Sequence, residues 1–134
     1  MRDSKLPLVY SCSGCSNVAQ LANTLAVRLD RAGLAEMSCI AGVGGRVASL
    51  VSKANSGRPI LAIDGCRLQC VRGCLNQHGV LASEYLVLSE QGLKKRYSKD
   101  FSGDTVERIY LEVIDLLASE RMQKRFRRPQ LVED

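Results

Sequence analysis

The sequence predicts an α/β protein, a single-domain, three-layer sandwich with helices on both faces of a mostly parallel sheet of about four strands. Two patterns predict this fold class. Short apolar runs of strand length alternate with segments whose apolar residues recur every three to four positions, the spacing of one helical face. Strands that alternate with helices form parallel sheets with right-handed crossovers, as in Rossmann-like and flavodoxin-like folds. The chain has 134 residues, 46% of them hydrophobic, which suits one domain over residues 1–134.

Three strands and two helices are predicted in the first half of the chain. The apolar runs favour strands at residues 6–12 and 58–64, and residues 35–45 are predicted to form a strand that runs into a glycine-rich turn. Helical periodicity predicts helices at residues 16–33 and 46–57. The apolar face of the first helix consists of Val18, Leu21, Ala22, Leu25 and Leu29.

The second half adds a cysteine-bearing helix, a strand and a long last helix. We expect the cysteine helix to end at Gly79 and the fourth strand to span residues 84–90. The buried stripe of the last helix is formed by Val106, Ile109, Tyr110, Val113, Leu116 and Leu117.

Polar pairs three residues apart predict the caps of two helices. Asn17 with Gln20 is the expected pair for the first helix, and Asp104 with Glu107 is the expected pair for the last.

Composition restricts the cellular context that we expect. Six cysteines in 134 residues are too few for a disulfide scaffold, and the apolar run "KLPLVYSC" is shorter than a secretory signal. No stretch approaches the ~20 apolar residues of a membrane span. We therefore expect a cytoplasmic protein with free thiols and no membrane insertion.

Basic residues exceed acidic ones and are concentrated near the end of the chain. The formal net charge is +5, and the tail at residues 121–134 contains Arg121, Lys124, Arg125, Arg127 and Arg128. Cations at the carboxyl end of a helix complement its dipole. Because the tail has one aromatic residue, Phe126, and no reading motif, it predicts at most a weak, salt-sensitive affinity for polyanions, and nucleic-acid binding is not expected.

Four cysteines are expected to meet at one edge of the sheet. Cys12 ends the first predicted strand, Cys39 lies at the end of the second and Cys66 follows the third. The carboxyl ends of parallel strands gather at one edge, where ligands of open α/β sheets bind. Cys70 lies one helical turn beyond Cys66, about 6 Å along the axis and on the same face.

The two remaining cysteines and the single histidine have separate predicted positions and roles. Cys15 forms a CxxC pair with Cys12, so it is either a ligand or a redox partner. Cys74 lies about 12 Å from Cys66 along the helix, too far to share an ion, and is expected in the core. The single histidine, His78, is expected as a surface cap of its own helix. Free cysteines also pack as small hydrophobic residues, and this alternative applies to all six.

Four segments resemble the DGC domain family, described as zinc-binding proteins of bacteria and archaea and named for the Asp-Gly-Cys found here at residues 64–66. They are "CSGCSNVAQLAN", "EMSCIAGVGG", "GRPILAIDGCRLQC" and "GLKKR", and the likeness covers about residues 8–97. The resemblance implies one zinc ion held by Cys12, Cys39, Cys66 and Cys70. Where the family has proline after the third of these cysteines, this chain has Arg67.

Four thiolates around one zinc ion carry a net charge of minus two, which nearby donors must offset. Gly42, Gly44 and Gly45 allow backbone amides to approach sulfur, and helix amino ends favour anions. Lys94 and Lys95 supply positive charge. Asp64 is expected as a turn residue or an acceptor outside the ligand set.

Three function classes remain after these arguments. The first is a metal-binding protein that uses zinc for structure, storage, delivery or sensing, with the metal ion as its partner and a protein partner unspecified. The second is a thiol redox enzyme that uses the Cys12/Cys15 pair, and the third is an iron–sulfur protein on the same four cysteines. A zinc hydrolase is disfavoured because such sites normally use histidine, and the sequence leaves open whether the protein is an enzyme. The glycine-rich turn lacks both nucleotide-binding fingerprints.

Overall fold

Residues 5–123 are described in a computed structural model of the chain. In chain order its elements are β1 (Leu8–Ser11), α1 (Asn17–Arg31), β2 (Glu36–Met37), α2 (Ile40–Gly44), α3 (Ala48–Ala54), β3 (Ile60–Asp64), α4 (Cys70–Asn76), β4 (Glu84–Val87), α5 (Gly103–Leu117) and α6 (Glu120–Gln123). A 3-10 turn at Leu88–Glu90 follows β4 directly.

The four strands form one parallel sheet with the order β2-β1-β3-β4. Leu8 lies opposite Ile60 in the central pair, and Asp64 of β3 lies opposite Val87 of β4. Because β2 is on one side of β1 and β3 on the other, the strand order reverses between β1 and β3. In this class of sheet, that reversal opens a crevice at the carboxyl ends of the two central strands.

Helices cover both faces, which confirms the predicted α/β sandwich. On one face α1 packs against β1 and β3 and also contacts α5, while on the other face α2 contacts both α3 and α4. The central strands β1 and β3 are buried along their whole length, as parallel strands covered on both faces should be. The largest fully buried side chains include Leu8, Tyr10, Leu25, Leu61, Ile63 and Ile109.

Two predicted strands are shorter than the apolar patterns indicated. β2 has only two residues, and the glycine-rich segment that was expected to form a turn is instead the short helix α2. It begins there because Cys39 adopts an extended backbone and its sulfur accepts the amide of Gly42. β4 ends at Val87, and the remaining residues to Glu90 form the 3-10 turn.

Serine residues cap the two long helices, so both predicted capping pairs are wrong. The side chain of Ser16 accepts the amide of Ala19, and that of Ser102 accepts the amide of Thr105. A serine hydroxyl just before the first helical residue reaches an unpaired amide of the first turn, which a side chain inside the helix does less well.

Most of the predicted basic tail lies outside the described residues. Within residues 121–134, the structure describes residues 121–123 of α6, and residues 124–134 lie outside the described part. Across residues 5–123, no helix combines the length and apolar character needed to cross a lipid bilayer.

Candidate functional site

The thiol edge, defined as Cys12, Cys39, Cys66 and Cys70 with their hydrogen-bond donors, lies at the carboxyl ends of the strands. Cys12 directly follows β1 and Cys66 comes two residues after β3, so these two cysteines flank the reversal of strand order. Cys39 follows β2 and begins α2, and Cys70 is the first residue of α4. The four segments come to this edge, but Cys66 precedes α4, so the prediction that Cys66 and Cys70 lie one turn apart on the same helix is wrong.

Cys12 is the buried member of this group. Its sulfur accepts a hydrogen bond from the amide of Gly65, with a donor–acceptor distance of 3.1 Å. Burial raises the pKa of Cys12 to about 11, and negative charge on Asp64, Cys70 and Cys66 acts in the same direction. The amide of Gly65 lowers that pKa, but not enough to offset burial. A buried thiol of this kind favours its neutral form unless a cation is close.

Gly65 can donate to Cys12 because its backbone lies directly on the first turn of α1. A Cβ atom at this position would lie 2.8 Å from the backbone nitrogen of Ala19 and 2.8 Å from the carbonyl carbon of Val18. Only glycine allows such an approach without displacing a backbone. Glycine within the Asp-Gly-Cys segment therefore has a packing role that also brings an amide to the sulfur.

Cys39 is exposed, and its side chain caps the amino end of α2. Its sulfur lies 3.3 Å from the amide nitrogen of Gly42, which donates to it across the first turn of α2. The predicted approach of a glycine amide to sulfur thus occurs at Gly42. Gly44 has a different role, because a Cβ there would lie 2.9 Å from the sulfur of Cys74.

Cys66 is half-buried and faces a cation from the loop after β4. The Nζ atom of Lys95 lies 3.5 Å from the sulfur of Cys66. Hydrogen bonds to Tyr97 and then to Cys66 raise the pKa of Lys95, so the ammonium form is favoured beside the sulfur. Of the two lysines that the sequence proposed for this edge, Lys95 reaches a thiol.

Asp64 anchors the helix that carries Cys70. Its two carboxylate oxygens accept the amides of Val71 and Arg72 at 2.8 and 3.2 Å. Gln69, which lies between Asp64 and Val71 in the chain, has a φ of 51°, a left-handed backbone conformation that non-glycine residues rarely adopt. The carboxylate is engaged with α4, as expected of an acceptor outside the ligand set.

The remaining cysteines and the histidine lie outside the thiol edge or at its border. Cys15 is exposed just before α1, and Cys74 is half-buried and packs against the core and against α2. His78 was expected to cap its own helix, but its Nε2 atom lies 2.8 Å from the carbonyl oxygen of Val43 at the end of α2. It is half-buried and links α2 to α4, which corrects the prediction.

The cysteine side chains of this edge are not arranged as a finished metal site. Among residues 5–123, no group of three or more histidine, cysteine, aspartate or glutamate side chains stands ready to hold a metal ion. Cys66 and Cys70 are close enough to Cys12 for negative charge on their sulfurs to raise its pKa. The ligand set of Cys12, Cys39, Cys66 and Cys70 therefore stays a prediction.

The donor set nevertheless fits a soft divalent ion. Its ligand atoms are thiol sulfurs, and three of them already have a hydrogen-bond donor. The Gly65 amide donates to Cys12, the Gly42 amide to Cys39 and the Lys95 ammonium to Cys66. Such donors stabilise the negative charge that metal-bound thiolates keep.

Sequence reasoning missed Asn17 as a residue that shapes this edge. Its buried side chain accepts the amide of Arg96 at 2.7 Å and donates to the carbonyl oxygen of Lys94 at 3.1 Å. These contacts join residues 77 and 79 positions apart, so no local pattern could reveal them.

Comparison with protein-family models matches residues 8–113 to the DGC domain. The chain belongs to the DGC domain family. The match extends past the predicted likeness at residues 8–97 and includes most of α5. One similar protein is the "Anaerobic and virulence modulator AnvM" of Pseudomonas aeruginosa, which is 65% identical over 115 residues. The matched region covers 86% of this DGC domain protein and 88% of AnvM. No solved structure shows a significant match to the chain.

Proposed function

We propose that this DGC domain protein is a zinc-binding regulatory protein whose ion is held by Cys12, Cys39, Cys66 and Cys70. The observation that carries the proposal is the placement of thiol-bearing segments with their own donors at the reversal of strand order. Ligands bind at this position in open α/β sheets. Zinc prefers a tetrahedral shell of sulfur ligands in sites that contain several cysteines.

The chain's own residues would stabilise the thiolates in distinct ways. The amide of Gly65 and the amide of Gly42 donate to the sulfurs of Cys12 and Cys39. Lys95 supplies a full positive charge beside Cys66. When bound, zinc would supply a dication that replaces the thiol protons, and these donors would offset the remaining negative charge.

The regulatory part of the proposal comes from the relative in Pseudomonas aeruginosa. Its name describes a modulator of anaerobic behaviour and virulence, and most of both chains align at 65% identity. Thiolate sites respond to oxidation as well as to metal supply. We therefore favour sensing over storage or delivery for the zinc site.

The thiol redox alternative is less well supported. A redox CxxC pair normally has an attacking cysteine with a lowered pKa, whereas burial raises the pKa of Cys12 to about 11. An iron–sulfur cluster on the same four cysteines is distinguished by its colour and its metal content.

Metal analysis of the full-length protein, purified without a histidine tag and under reducing conditions, tests the proposal. We expect about one zinc ion per chain and a colourless protein, as four thiolates complete one tetrahedral shell. Serine at Cys12, Cys39, Cys66 or Cys70 should sharply reduce zinc content, because each change removes one of the four ligands.

The matched control is Cys74→Ser, which removes a thiol that packs between α2 and α4 and lies outside the proposed ligand set. This variant should keep its zinc. Undiminished zinc in both Cys39→Ser and Cys70→Ser would contradict the ligand set, and a brown protein that contains iron would favour the cluster.

A further inference from the structure

A cleft lies beside the thiol edge, between the amino-terminal half of α1 and the segment that joins β4 to α5. It consists of two adjoining cavities of about 260 and about 230 Å³. Asn17, Asp100 and Phe101 line both cavities and mark the boundary between them. Nothing in the proposed zinc chemistry uses this cleft.

The larger cavity is cationic. Lys94, Arg96 and Lys99 line it together with a single carboxylate, Asp100. Within residues 5–123, none of the three cations forms an ion pair with an acidic side chain. Ser102 lines the same cavity and caps α5, so the positive end of this helix dipole is also directed there. Three cations against one carboxylate leave a local excess of positive charge.

The backbone that carries these cations is held in place. Asn17 is 5% exposed, and its side chain accepts the amide of Arg96 and donates to the carbonyl oxygen of Lys94. The backbone amide of Asn17 also donates to the carbonyl oxygen of Arg96 at 2.8 Å. A fixed backbone reduces the ordering cost that a charged ligand would otherwise meet.

The smaller cavity has no cationic lining residue; its one charged residue is Asp100, at the boundary with the larger cavity, and Phe101 gives it an aromatic wall. It is lined by Gln20, Leu21, Thr24 and Val106 in addition to the shared residues. Phe101 is half-buried, packs against the core on one side and lines both cavities on the other. An aromatic face in this position can stack on a planar ring.

We infer that the cleft binds a small organic phosphate of the nucleoside monophosphate class. Its phosphate would contact Lys94, Arg96 and Lys99, and its planar base would lie against Phe101. The two cavities together fall in the lower part of the range of roughly 300–1,000 Å³ that is typical of small-molecule sites, which favours a mononucleotide over a dinucleotide. Charge-assisted hydrogen bonds to phosphate give affinity, and stacking on the ring distinguishes a nucleotide from free phosphate.

Calorimetric titration of the full-length protein at about 150 mM salt tests the inference with four probes. These are adenosine monophosphate, adenosine, inorganic phosphate and a ten-nucleotide single-stranded DNA. We expect saturable binding of the monophosphate, at least tenfold weaker binding of phosphate and of adenosine, and no preference for the DNA. Replacing Lys94, Arg96 or Lys99 by alanine should in each case weaken binding of the monophosphate about tenfold.

Two further variants separate specific contacts from general charge. Arg31→Ala removes an exposed cation at the far end of α1 and should leave binding unchanged. Phe101→Leu keeps an apolar side chain in the core. It should weaken binding of the monophosphate several-fold, whereas binding of inorganic phosphate should stay the same. An equal loss in Arg31→Ala, adenosine binding as tightly as its monophosphate, tighter binding of the DNA, or no binding of the monophosphate at millimolar concentration would each overturn the inference. Zinc content is measured in parallel, so failure here is distinguishable from failure of the zinc site.

Discussion

Replacing Gly65 by alanine should destabilise the protein and disturb the donor to Cys12 in one step. The added Cβ would lie 2.8 Å from Ala19 N and Val18 C, and 3.0 Å from Val18 O. All three contacts are backbone atoms, so no rotation of a side chain can relieve them. Either α1 or the loop after β3 must move by several tenths of an ångström, and the hydrogen bond from Gly65 to Cys12 lengthens with it.

The size of the effect follows from three contributions. Overpacking of a close contact costs about 1–3 kcal/mol. Weakening the amide–sulfur bond adds up to about 1 kcal/mol, and the lower chain entropy of alanine in the unfolded state returns about 0.4–1 kcal/mol. We expect the free energy of unfolding to fall by about 2 kcal/mol in Gly65→Ala.

Gly73→Ala is the matched control, since it makes the same chemical change within α4. A Cβ at Gly73 meets nothing within 4 Å, so alanine there should stabilise the helix by about 0.5–1 kcal/mol. Because the chain has no tryptophan, urea unfolding is followed by far-UV circular dichroism. Equal stabilities of the two variants, or a Gly65→Ala protein as stable as the wild type, would refute the close approach of the two backbones.

Two further predictions concern acid stability and thiol accessibility. Burial acts to raise the pKa of Glu36, but hydrogen bonds and charges from Lys53 and Arg58 outweigh it and hold that pKa below its ordinary value of 4.5. The resulting stability is present above pH 4.5 and is lost as the pH falls through the lower folded-state pKa. Glu36→Gln should therefore lower the free energy of unfolding by about 2 kcal/mol at neutral pH, with the deficit shrinking below about pH 4 in urea titrations. A deficit that stays constant down to pH 3 would argue against the ionised pair. Thiol labelling analysed by peptide mass spectrometry should modify Cys15, Cys39 and Cys70 rapidly in the metal-free protein, because all three are exposed. In the zinc-loaded protein Cys15 alone of these three should remain fast, and equally fast labelling of Cys39 with and without zinc would exclude it as a ligand.

The layout of the sheet was predictable because it depends on local patterns. The apolar runs that became β1 and β3 have no competing helical periodicity, and their burial on both faces follows from the parallel topology. The positions of Cys12 and Cys66 were therefore fixed to within a few residues. The start of α2 was missed because the pattern before Gly45 is apolar and short, and such runs do not distinguish strand from helix.

Contacts between distant segments could not be predicted in the same way. The need for glycine at residue 65 arises from the docking of α1, which no sequence near that residue encodes. His78 meets Val43 only because α2 and α4 share one face of the sheet. The pairing of Lys95 with Cys66 likewise depends on where the loop after β4 returns to the sheet.

The side chain of Asn17 forms two hydrogen bonds with the backbone of Lys94 and Arg96, which together are called the clasp. The clasp has a consequence for the order of folding and opening. Its partners are 77 and 79 positions from it, so the chain loses the entropy of a long loop before these hydrogen bonds form. We therefore expect the clasp to close after α1 and the central strands have assembled, and to open locally without unfolding of the sheet. Amide hydrogens around residue 96 should exchange with solvent through this local opening while those of β1 and β3 exchange only on global unfolding. The segment that carries Lys95 and the cations of the cleft is thus fixed by the assembled fold, and its opening does not require loss of the sheet.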